Sequence, residues 1–340
     1  MTEERITIDS NLDIQLHIHV FGFHPQGESI LLIIFDASKE QVIRSIAVDC
    51  FIEKNKEQIK NTLKQYKISN QNPLNLIIWT HPDYDHSKGM GLLVSEFANK
   101  QTILLTPDGM NIWNLVNAHA LWTYITTLFY VKKNRLLIEH VNNSNHRKYP
   151  DEYLPLHISD GILDDLHFSV EILTPHADKI IKKTEINKSL KYNDISISFI
   201  VHFGSMNFYF GGDVENESIK GINQYRLTNL SYVKIPHHGS DTSDVLPSII
   251  ENLYIENEED EEDERYVTSV VTSFHNGKSK LPYDDVLNKY KSISNIIVKT
   301  DSIDREYYYG TYFVSYNIVA ESVADSQCYG DANIWYNKYY

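Results

Sequence analysis

The stretch THPDYDHSKG, residues 80–89, directly follows LNLIIW, residues 74–79, an apolar run that predicts a buried strand. The titratable side chains of this stretch, at the spacing H-x-D-x-D-H, are His81, Asp83, Asp85 and His86. Side chains that leave a strand end into a tight turn can converge. Imidazole nitrogens and carboxylate oxygens together suit one or two divalent ions such as Zn²⁺ or Mn²⁺. The alternative is a solvated loop rich in turn-forming residues.

A second candidate lies at the end of the predicted strand MNFYFGGD, residues 206–213. The two glycines let the backbone pass close to another group, and Asp213 projects from the strand end. The alternative is that Asp213 caps the helix predicted from residue 215 onward, because aspartate is a preferred N-cap residue.

Two adjacent histidines, His237 and His238, follow a predicted strand in YVKIPHHGS, residues 232–240. Consecutive side chains of a strand point to opposite faces, so we expect only one of the two to face a metal ion. His237 comes first after the strand and Pro236 stiffens the approach, which favours His237 as the ligand. His238 is then expected to orient a ligand or to contact the substrate.

The composition predicts a folded protein with a sizeable core. The chain has 340 residues, of which 42% are hydrophobic. Its net charge of −15 disfavours a function based on non-specific contacts with extended nucleic acid. Two cysteines, Cys50 and Cys328, are too few for a disulfide framework or a cysteine-rich zinc site. The N-terminus lacks an apolar signal region and the apolar runs are too short to cross a bilayer, so we expect a soluble, cytoplasmic protein without a membrane partner.

Strand and helix patterns alternate along the chain, which predicts an α/β fold. Since no Pro/Gly/Ser-rich linker interrupts the pattern, we expect a single domain over residues 1–340. A hairpin is predicted to turn at Gly204, and the apolar segment 110–131 predicts a packed helix or a lid over a pocket. The acidic run 256–264 predicts an exposed loop insertion, and the Tyr-rich stretch 306–340 predicts terminal strands.

Taken in order, these motifs resemble the metallo-β-lactamase fold superfamily, and within it the ComEC-like group. That group includes the nuclease-like domain of bacterial DNA-uptake channels. THPDYDHSKG resembles the group's T/S-H-x-D-x-D-H-x-G-G, FYFGGD its L-L-T-G-D, and VKIPHHGS its L-K-V-P-H-H-G-S. FGFHPQGESILL is similar to V-G-Q-G-D-S-I-L, and IAVDC, which contains Asp49, is similar to L-I-D-T/A-G. The order agrees from about residue 15 to residue 300, and five ordered motifs are more specific than any one of them.

The resemblance implies a four-layer αββα sandwich with its site at the strand ends along one edge. It also implies two divalent metal ions, zinc or manganese. The residues that it assigns to them are His81 and Asp83 on the first ion, Asp85 and His86 on the second, Asp213 as a bridge, and His237 (or His238) to complete the second ion. Three carboxylates against two divalent ions leave about one net positive charge, which suits an anionic phosphate ester.

The chain departs from the superfamily pattern at two positions of this ligand set. Asp83 stands where many members have a second histidine, which shifts the metal preference toward Mn²⁺. Asn193 stands where another histidine ligand is usual, although the ComEC-like group also tends to have asparagine there. His176 and His202 could substitute, but we expect both to be structural.

A further departure lies near the end of the resemblance. The group often shows a Tyr-Gly-His-Pro element, and this chain has KSKLPYDD, with Leu281 where the histidine would fall. His275, in SFHNGK, is a candidate to compensate. These changes bear on the substrate more than on the metal ions.

These expectations favour a binuclear metal-dependent hydrolase that cleaves a phosphodiester, either as a nuclease or as a small phosphodiesterase. A metal-bridging hydroxide would attack phosphorus, with Asp85 orienting or deprotonating it and His238 contacting the substrate. One alternative is a lactone or thioester hydrolase of the same fold. The other is a non-catalytic protein that binds a protein partner in a defence or toxin system, although an intact ligand set counts against it.

Overall fold

A computed structural model describes residues 13–53, 56–113, 115, 117–144, 166–185, 191–257, 266–276, 279–301 and 307–339. Its strands are β1 Ile14–Phe23, β2 Glu28–Asp36, β3 Gln41–Val48, β4 Leu76–Ile78, β5 Ile103–Pro107, β6 Leu137–Val141, β7 Ser169–Ile172, β8 Phe199–Phe203, β9 Met206–Phe210, β10 Leu230–Lys234, β11 Thr268–Val271, β12 Phe274–Asn276, β13 Ser279–Leu281, β14 Ile296–Lys299, β15 Tyr309–Asn317, β16 Ser322–Gly330 and β17 Asn333–Asn337. Its α-helices are α1 Gln58–Gln65, α2 Tyr84–Ser87, α3 Met90–Phe97, α4 Ala118–Asn134, α5 Ala177–Glu185, α6 Asn216–Ile219, α7 Leu246–Asn257 and α8 Asp284–Tyr290.

The first large sheet has the strand order β16-β15-β1-β2-β3-β4-β5-β6. Its strands are antiparallel from β16 to β3 and parallel from β3 to β6. Strand β2, ESILLIIFD, is buried along nearly its whole length, which explains why its sequence is a continuous apolar run instead of an alternating one. Strand β4 leads directly into THPDYDHSKG, so the motif lies at the carboxyl edge of the parallel part of this sheet.

The second large sheet has the strand order β17-β14-β11-β10-β9-β8-β7. Strands β9, β10, β11 and β14 are parallel, whereas β7, β8 and β17 pair with their neighbours in the antiparallel direction. The predicted hairpin is confirmed, because β8 and β9 pair around Gly204, whose φ of 62° is the left-handed conformation that glycine tolerates. Strands β9 and β10 end beside each other, which brings their following residues to one edge. A short hairpin, β12-β13, stands apart.

A central hydrophobic core contains side chains from both large sheets. Leu32 and Ile78 of the first sheet belong to it together with Phe199 and Phe210 of the second. Each of these side chains is nearly fully buried, and burial of such a side chain stabilises the fold by about 1.5–3 kcal/mol. The apolar faces of the two sheets therefore hold the two halves of the molecule together.

Two further cores cover the other face of each sheet with helices. Ile59 of α1 and Leu93 of α3 belong to a cluster with strands of the first sheet. Ile250 of α7 and Leu287 of α8 belong to a cluster with strands of the second sheet. The α/β class predicted from the sequence is thus confirmed, with two large mixed sheets and helices packed on them.

Several helices are shorter than their sequence patterns predict. The apolar segment 110–131 becomes helical only from Ala118, because the Asn117 side chain accepts a hydrogen bond from the backbone N–H of His119 and caps the helix there. The helix predicted over 215–227 is wrong in extent, since it splits into α6 and a 3₁₀ turn at Gln224–Leu227. Strand β16, SVADSQCYG, has no apolar alternation of its own and is predicted only as part of the Tyr-rich stretch 306–340.

The acidic run 256–264 lies outside the described residues, except for its first two positions at the end of α7. The Tyr-rich C-terminal stretch forms the strands β15, β16 and β17, of which the first two join the first sheet and the third joins the second. In the described part of the chain, no helix combines the length and the apolar character needed to span a membrane.

Candidate metal centre

The H-x-D-x-D-H turn places its side chains on an interior surface. His81 and His86 are fully buried and Asp85 is 5% exposed. Asp83 occupies the N-cap position of α2, yet its side chain makes no capping hydrogen bond. Its carboxylate therefore stays directed at the site, where it lies 3.4 Å from Nε2 of His81, while its side chain is 38% exposed. The solvated-loop alternative does not describe the buried side chains of His81, Asp85 and His86.

The Gly-Gly-Asp sequence after β9 of the second sheet brings Asp213 against the H-x-D-x-D-H turn of the first sheet. Gly212 adopts a φ of 53°, and a Cβ atom there would lie 2.5 Å from the backbone oxygen of Ile197. Only glycine fits this turn without strain. The backbone N–H of Asp213 then donates to Oγ of Ser196 at 2.9 Å, which holds the backbone from which the carboxylate projects.

The Asp213 carboxylate lies among three imidazoles. Its oxygens are 3.4 Å from Nε2 of His86, 3.6 Å from Nε2 of His81 and 3.7 Å from Nε2 of His238. Asp213 does not cap the following helix, because the N-cap of α6 is Glu215. Asp213 is instead 5% exposed and faces the histidines.

The two adjacent histidines have the opposite positions from those that the sequence favoured. His238 is buried and its Nε2 lies 3.2 Å from a carboxylate oxygen of Asp85, whereas the half-buried His237 faces Asn193 and Thr242. Strand alternation does not apply here, because β10 has already ended and both histidines have left-handed backbones, with φ of 47° and 52°. The structure therefore brings His238, and not the favoured His237, to the other candidate ligands.

Hydrogen bonds to Asp49 and Thr80, neither of which is assigned as a metal ligand, fix the tautomers of His86 and His81. The Nδ1–H of His86 donates to a carboxylate oxygen of Asp49 at 2.8 Å. The hydroxyl of Thr80 donates to the same carboxylate at 2.5 Å, so it can only accept from Nδ1–H of His81, 3.0 Å away. In the neutral form, both histidines then present a lone pair at Nε2.

His238 is also held through hydrogen bonds at its Nδ1 atom. Its Nδ1 lies 3.3 Å from the backbone oxygen and 3.0 Å from the hydroxyl of Thr272, and a carbonyl oxygen can only accept. The Thr272 hydroxyl in turn donates to Glu28, which also forms an ion pair of 2.9 Å with Lys234. Nδ1 of His238 is therefore the protonated nitrogen, and Nε2 again presents a lone pair.

The Nε2 atoms of these histidines face one another and face carboxylates. Nε2 of His86 and Nε2 of His238 are 3.2 Å apart, so one of them carries a proton when no ion is bound. Burial would lower the pKa of His86, but Asp213 and Asp85 raise it well above its usual value. Nε2 of His81 is buried and has no hydrogen-bond partner among the described residues. A metal ion would satisfy the unpaired nitrogen of His81, replace the proton between His86 and His238, and neutralise the converging carboxylates. The buried histidine and carboxylate groups here could thus hold a metal ion.

The pKa shifts of His81 and Asp213 also indicate that the cluster favours a bound cation. Burial and the neighbouring His86 would lower the pKa of His81, but the carboxylates of Asp83 and Asp213 outweigh them and raise it. Burial would raise the pKa of Asp213, but His86 and His238 lower it well below its usual range. The cluster thus favours an ionised Asp213 and a positive charge beside it.

Glu28, Lys234 and Thr272 are residues that the sequence reasoning did not assign to the site. Burial would raise the pKa of Glu28, but Lys234 and then the nearby histidines lower it, so the carboxylate stays charged. Both Glu28 and Lys234 are nearly fully buried. Two of these residues lie in motifs identified from the sequence, Glu28 in FGFHPQGESILL and Lys234 in VKIPHHGS. Their contact across the two sheets could not be read from either motif alone.

Other predicted residues lie outside the convergent cluster. Nε2 of His176 lies 2.8 Å from the backbone oxygen of Ser218, and Nε2 of His202 lies 3.0 Å from the Glu171 carboxylate, which are structural contacts. Asn193 donates to Nε2 of His237 at 3.3 Å, on the side of the site where a histidine ligand was expected.

A comparison with protein family models gave no match to this sequence, and a comparison with curated proteins gave none either. The functional assignment therefore rests on the motifs and on the geometry of the centre.

Proposed function

We propose that this protein is a binuclear metal-dependent hydrolase of the metallo-β-lactamase fold, related to the ComEC-like group, and that it cleaves a phosphodiester. The observation that carries the proposal is the convergence of three histidine Nε2 atoms with three carboxylates in one cluster, of which only the Asp83 carboxylate is partly exposed. Such a mixed nitrogen and oxygen donor set suits Zn²⁺ or Mn²⁺.

The packing supports the expected four-layer sandwich. One core contains residues of both sheets, a second contains the first sheet with α1 and α3, and a third contains the second sheet with α7 and α8. This order corresponds to helices, sheet, sheet and helices. The carboxyl ends of β4, β9 and β10 carry the three motifs, which is where α/β proteins commonly place their sites.

The distances support two groups of ligands. The groups that we assign are His81 and Asp83 for the first ion, Asp85, His86 and His238 for the second, and Asp213 as the shared carboxylate. Separations of 3.2–3.7 Å between these nitrogens and oxygens are close to the spacing, about 3.4 Å, of two ligands on one tetrahedral zinc ion. Bound ions supply Lewis acidity and lower the pKa of a bound water.

The remaining residues of the site would receive the substrate. Among the assigned ligands, Asp83 has the most exposed carboxylate, which marks the side from which a substrate would reach the centre. His237 is half-buried and is held between the Asn193 amide and the Thr242 hydroxyl. Burial lowers the pKa of His237, so the ring is neutral, and because Nε2 accepts from the Asn193 amide, its one N–H is at Nδ1. A phosphoryl oxygen could accept from that Nδ1–H in place of the Thr242 hydroxyl. We assign it to positioning of the substrate.

The surroundings favour a small phosphodiester over a long nucleic acid. Lys88 pairs with Glu53, and Lys234 pairs with Glu28, so these two cations near the centre are already neutralised. The ring of Tyr84 packs on His119 at 4.4 Å, which brings the start of α4 against the H-x-D-x-D-H turn. A net charge of −15 also opposes a long polyanion.

Metal analysis combined with hydrolysis of bis-p-nitrophenyl phosphate tests the proposal. We expect about two equivalents of transition metal at the binuclear centre, measured as the metal that Asp213→Ala and the other ligand variants lose. We expect Asp213→Ala to abolish hydrolysis, with the fold retained by circular dichroism. Glu217→Ala, which removes a carboxylate that is 79% exposed, is the matched control and should behave as the wild type.

Two results would contradict this function. The first is a protein that neither retains metal nor responds to added Mn²⁺ or Zn²⁺. The second is a normal turnover rate in Asp213→Ala. If metal is bound but phosphodiesters are not cleaved, lactone and thioester substrates separate the alternative hydrolase from a non-catalytic protein.

A further inference from the structure

We propose that His24, His275 and Asp301 form a separate divalent-cation site, outside the binuclear centre. One ring nitrogen from each histidine and one carboxylate oxygen lie within 4.8 Å of one another. Nδ1 of His275 is 3.6 Å from an Asp301 oxygen, close to the separation of about 3.4 Å between two ligands of a tetrahedral ion. The imidazole rings of His24 and His275 lie edge to face with centroids 5.5 Å apart.

Three chain segments that are distant in sequence supply these side chains. His24 lies in the turn between β1 and β2, His275 lies in β12, and Asp301 follows β14. Backbone hydrogen bonds hold these segments in place, from the N–H of His275 to the oxygen of Pro25 at 2.6 Å and from the N–H of Thr300, beside Asp301, to the oxygen of Val271 at 3.1 Å. The three side chains are therefore brought together by a supported backbone and not by chance contacts of loop tips.

The donor set and its exposure fit a cation that keeps open coordination positions. Two imidazoles and one carboxylate are the donors of many zinc and iron(II) sites, and Mn²⁺ also accepts them. The side chains of His275 and Asp301 are 20% and 11% exposed, so the ion could exchange with solvent and bind water or an anion. A divalent ion here would carry one net positive charge, because Asp301 is the one carboxylate of the set.

The site lies beside the binuclear centre but does not share its ligands. The ring of Phe274 stacks on the ring of His238 with centroids 5.3 Å apart. Adjacent side chains of a strand point to opposite faces, so His275 points away from that contact. A cation at His275 would tie strand β12 to the turn that precedes Glu28. Its presence would thus stiffen the wall of the centre without depending on what the centre catalyses.

Equilibrium dialysis against Zn²⁺, followed by elemental analysis, measures the number of bound ions. The variants are His275→Ala and the more conservative Asp301→Asn, with His167→Asn as the control, because His167 is an exposed histidine outside these clusters. We expect each site variant, and the two combined, to bind one equivalent fewer than the wild type. His167→Asn should bind the same number as the wild type.

The proposal is overturned if both site variants, folded by circular dichroism, bind as much Zn²⁺ as the wild type. It is also overturned if they lose no more than His167→Asn loses. Measuring Asp213→Ala in parallel separates this site from the binuclear centre. That variant should lose metal from the centre and still show a difference of one equivalent when His275→Ala is added.

Discussion

Each histidine that converges on the centre is held through its Nδ1 atom, which decides what its Nε2 atom can do. Asp49 and Glu28 act through this arrangement, Asp49 directly on His86 and Glu28 through the Thr272 hydroxyl on His238. Neither carboxylate needs to touch a metal ion to matter, because each fixes a tautomer and a ring orientation. Groups of nearby histidines and carboxylates thus include both ligands and the residues that orient them.

At the residue scale, we expect His238→Ala to lower the metal content and His237→Ala to lower turnover with the metal retained. The reason is that Nε2 of His238 lies 3.2 Å from Asp85, whereas His237 bonds Asn193 and Thr242. Elemental analysis and steady-state kinetics on the same preparations measure the two effects. Equal loss of metal from both variants would show that the two histidines do not have divided roles.

A second prediction at this scale concerns the buried ion pair of Glu28 and Lys234. We expect Glu28→Gln to lower the free energy of unfolding by about 3–5 kcal/mol, because it leaves the buried Lys234 ammonium without its carboxylate. The double variant Glu28→Gln/Lys234→Met should recover much of that loss. Urea unfolding of the metal-free protein measures both. A double variant no more stable than the single one would argue against the pair as the source of the loss.

At the scale of elements, the end of β9 is constrained by its glycines. Gly212→Ala would place a Cβ atom 2.5 Å from the Ile197 oxygen and impose a φ of 53° on alanine. We expect a loss of about 1–3 kcal/mol in unfolding free energy and weaker metal binding, because Asp213 is the next residue. Urea unfolding and metal titration measure these changes.

Gly91→Ala is the control for that substitution. Gly91 lies inside α3 with helical geometry, and its nearest contact would be a methyl group of Thr126 at 3.2 Å, which can give slightly. Alanine also has the higher helix propensity, so we expect little change in stability and none in metal binding. If Gly212→Ala behaved like Gly91→Ala, the positive φ at Gly212 would not be what positions Asp213.

At the scale of the whole molecule, acid stability should depend on a histidine cluster away from the centre. Nδ1 of His17 and Nε2 of His19 lie 2.8 and 3.0 Å from the hydroxyl of Tyr66. Burial lowers the pKa of His17 to about 4, and burial with the neighbouring His17 lowers the pKa of His19 to about 3. The folded protein therefore keeps both rings neutral at a pH where the unfolded chain would protonate them.

The sign of the pH dependence follows from this difference. Below the unfolded pKa of about 6.5, the unfolded state binds more protons, so stability falls as the pH falls toward about 4 and then about 3. Each histidine contributes a slope of up to about 1.4 kcal/mol per pH unit. The double variant His17→Gln/His19→Gln should lose this part of the slope. Urea unfolding of both proteins at several pH values measures it, and parallel curves would refute the role of the cluster.

The sequence by itself determined the α/β class, the hairpin at Gly204 and the positions of the three motifs at strand ends. These features are local, because apolar runs and glycine turns depend on neighbours in the chain. The H-x-D-x-D-H turn and the Gly-Gly-Asp end are visible in the same way. The acidic run 256–264 remains a prediction, because it lies almost entirely outside the described residues.

Only the tertiary structure decided which histidine of the His237–His238 pair meets Asp85. The outcome depends on two consecutive left-handed residues after β10, and the strand pattern contains no sign of them. The partnership of Glu28 with Lys234 and the meeting of His24 with His275 likewise join segments more than two hundred residues apart. Contacts of this kind arise when segments that are distant in the sequence pack together, and no local pattern specifies them.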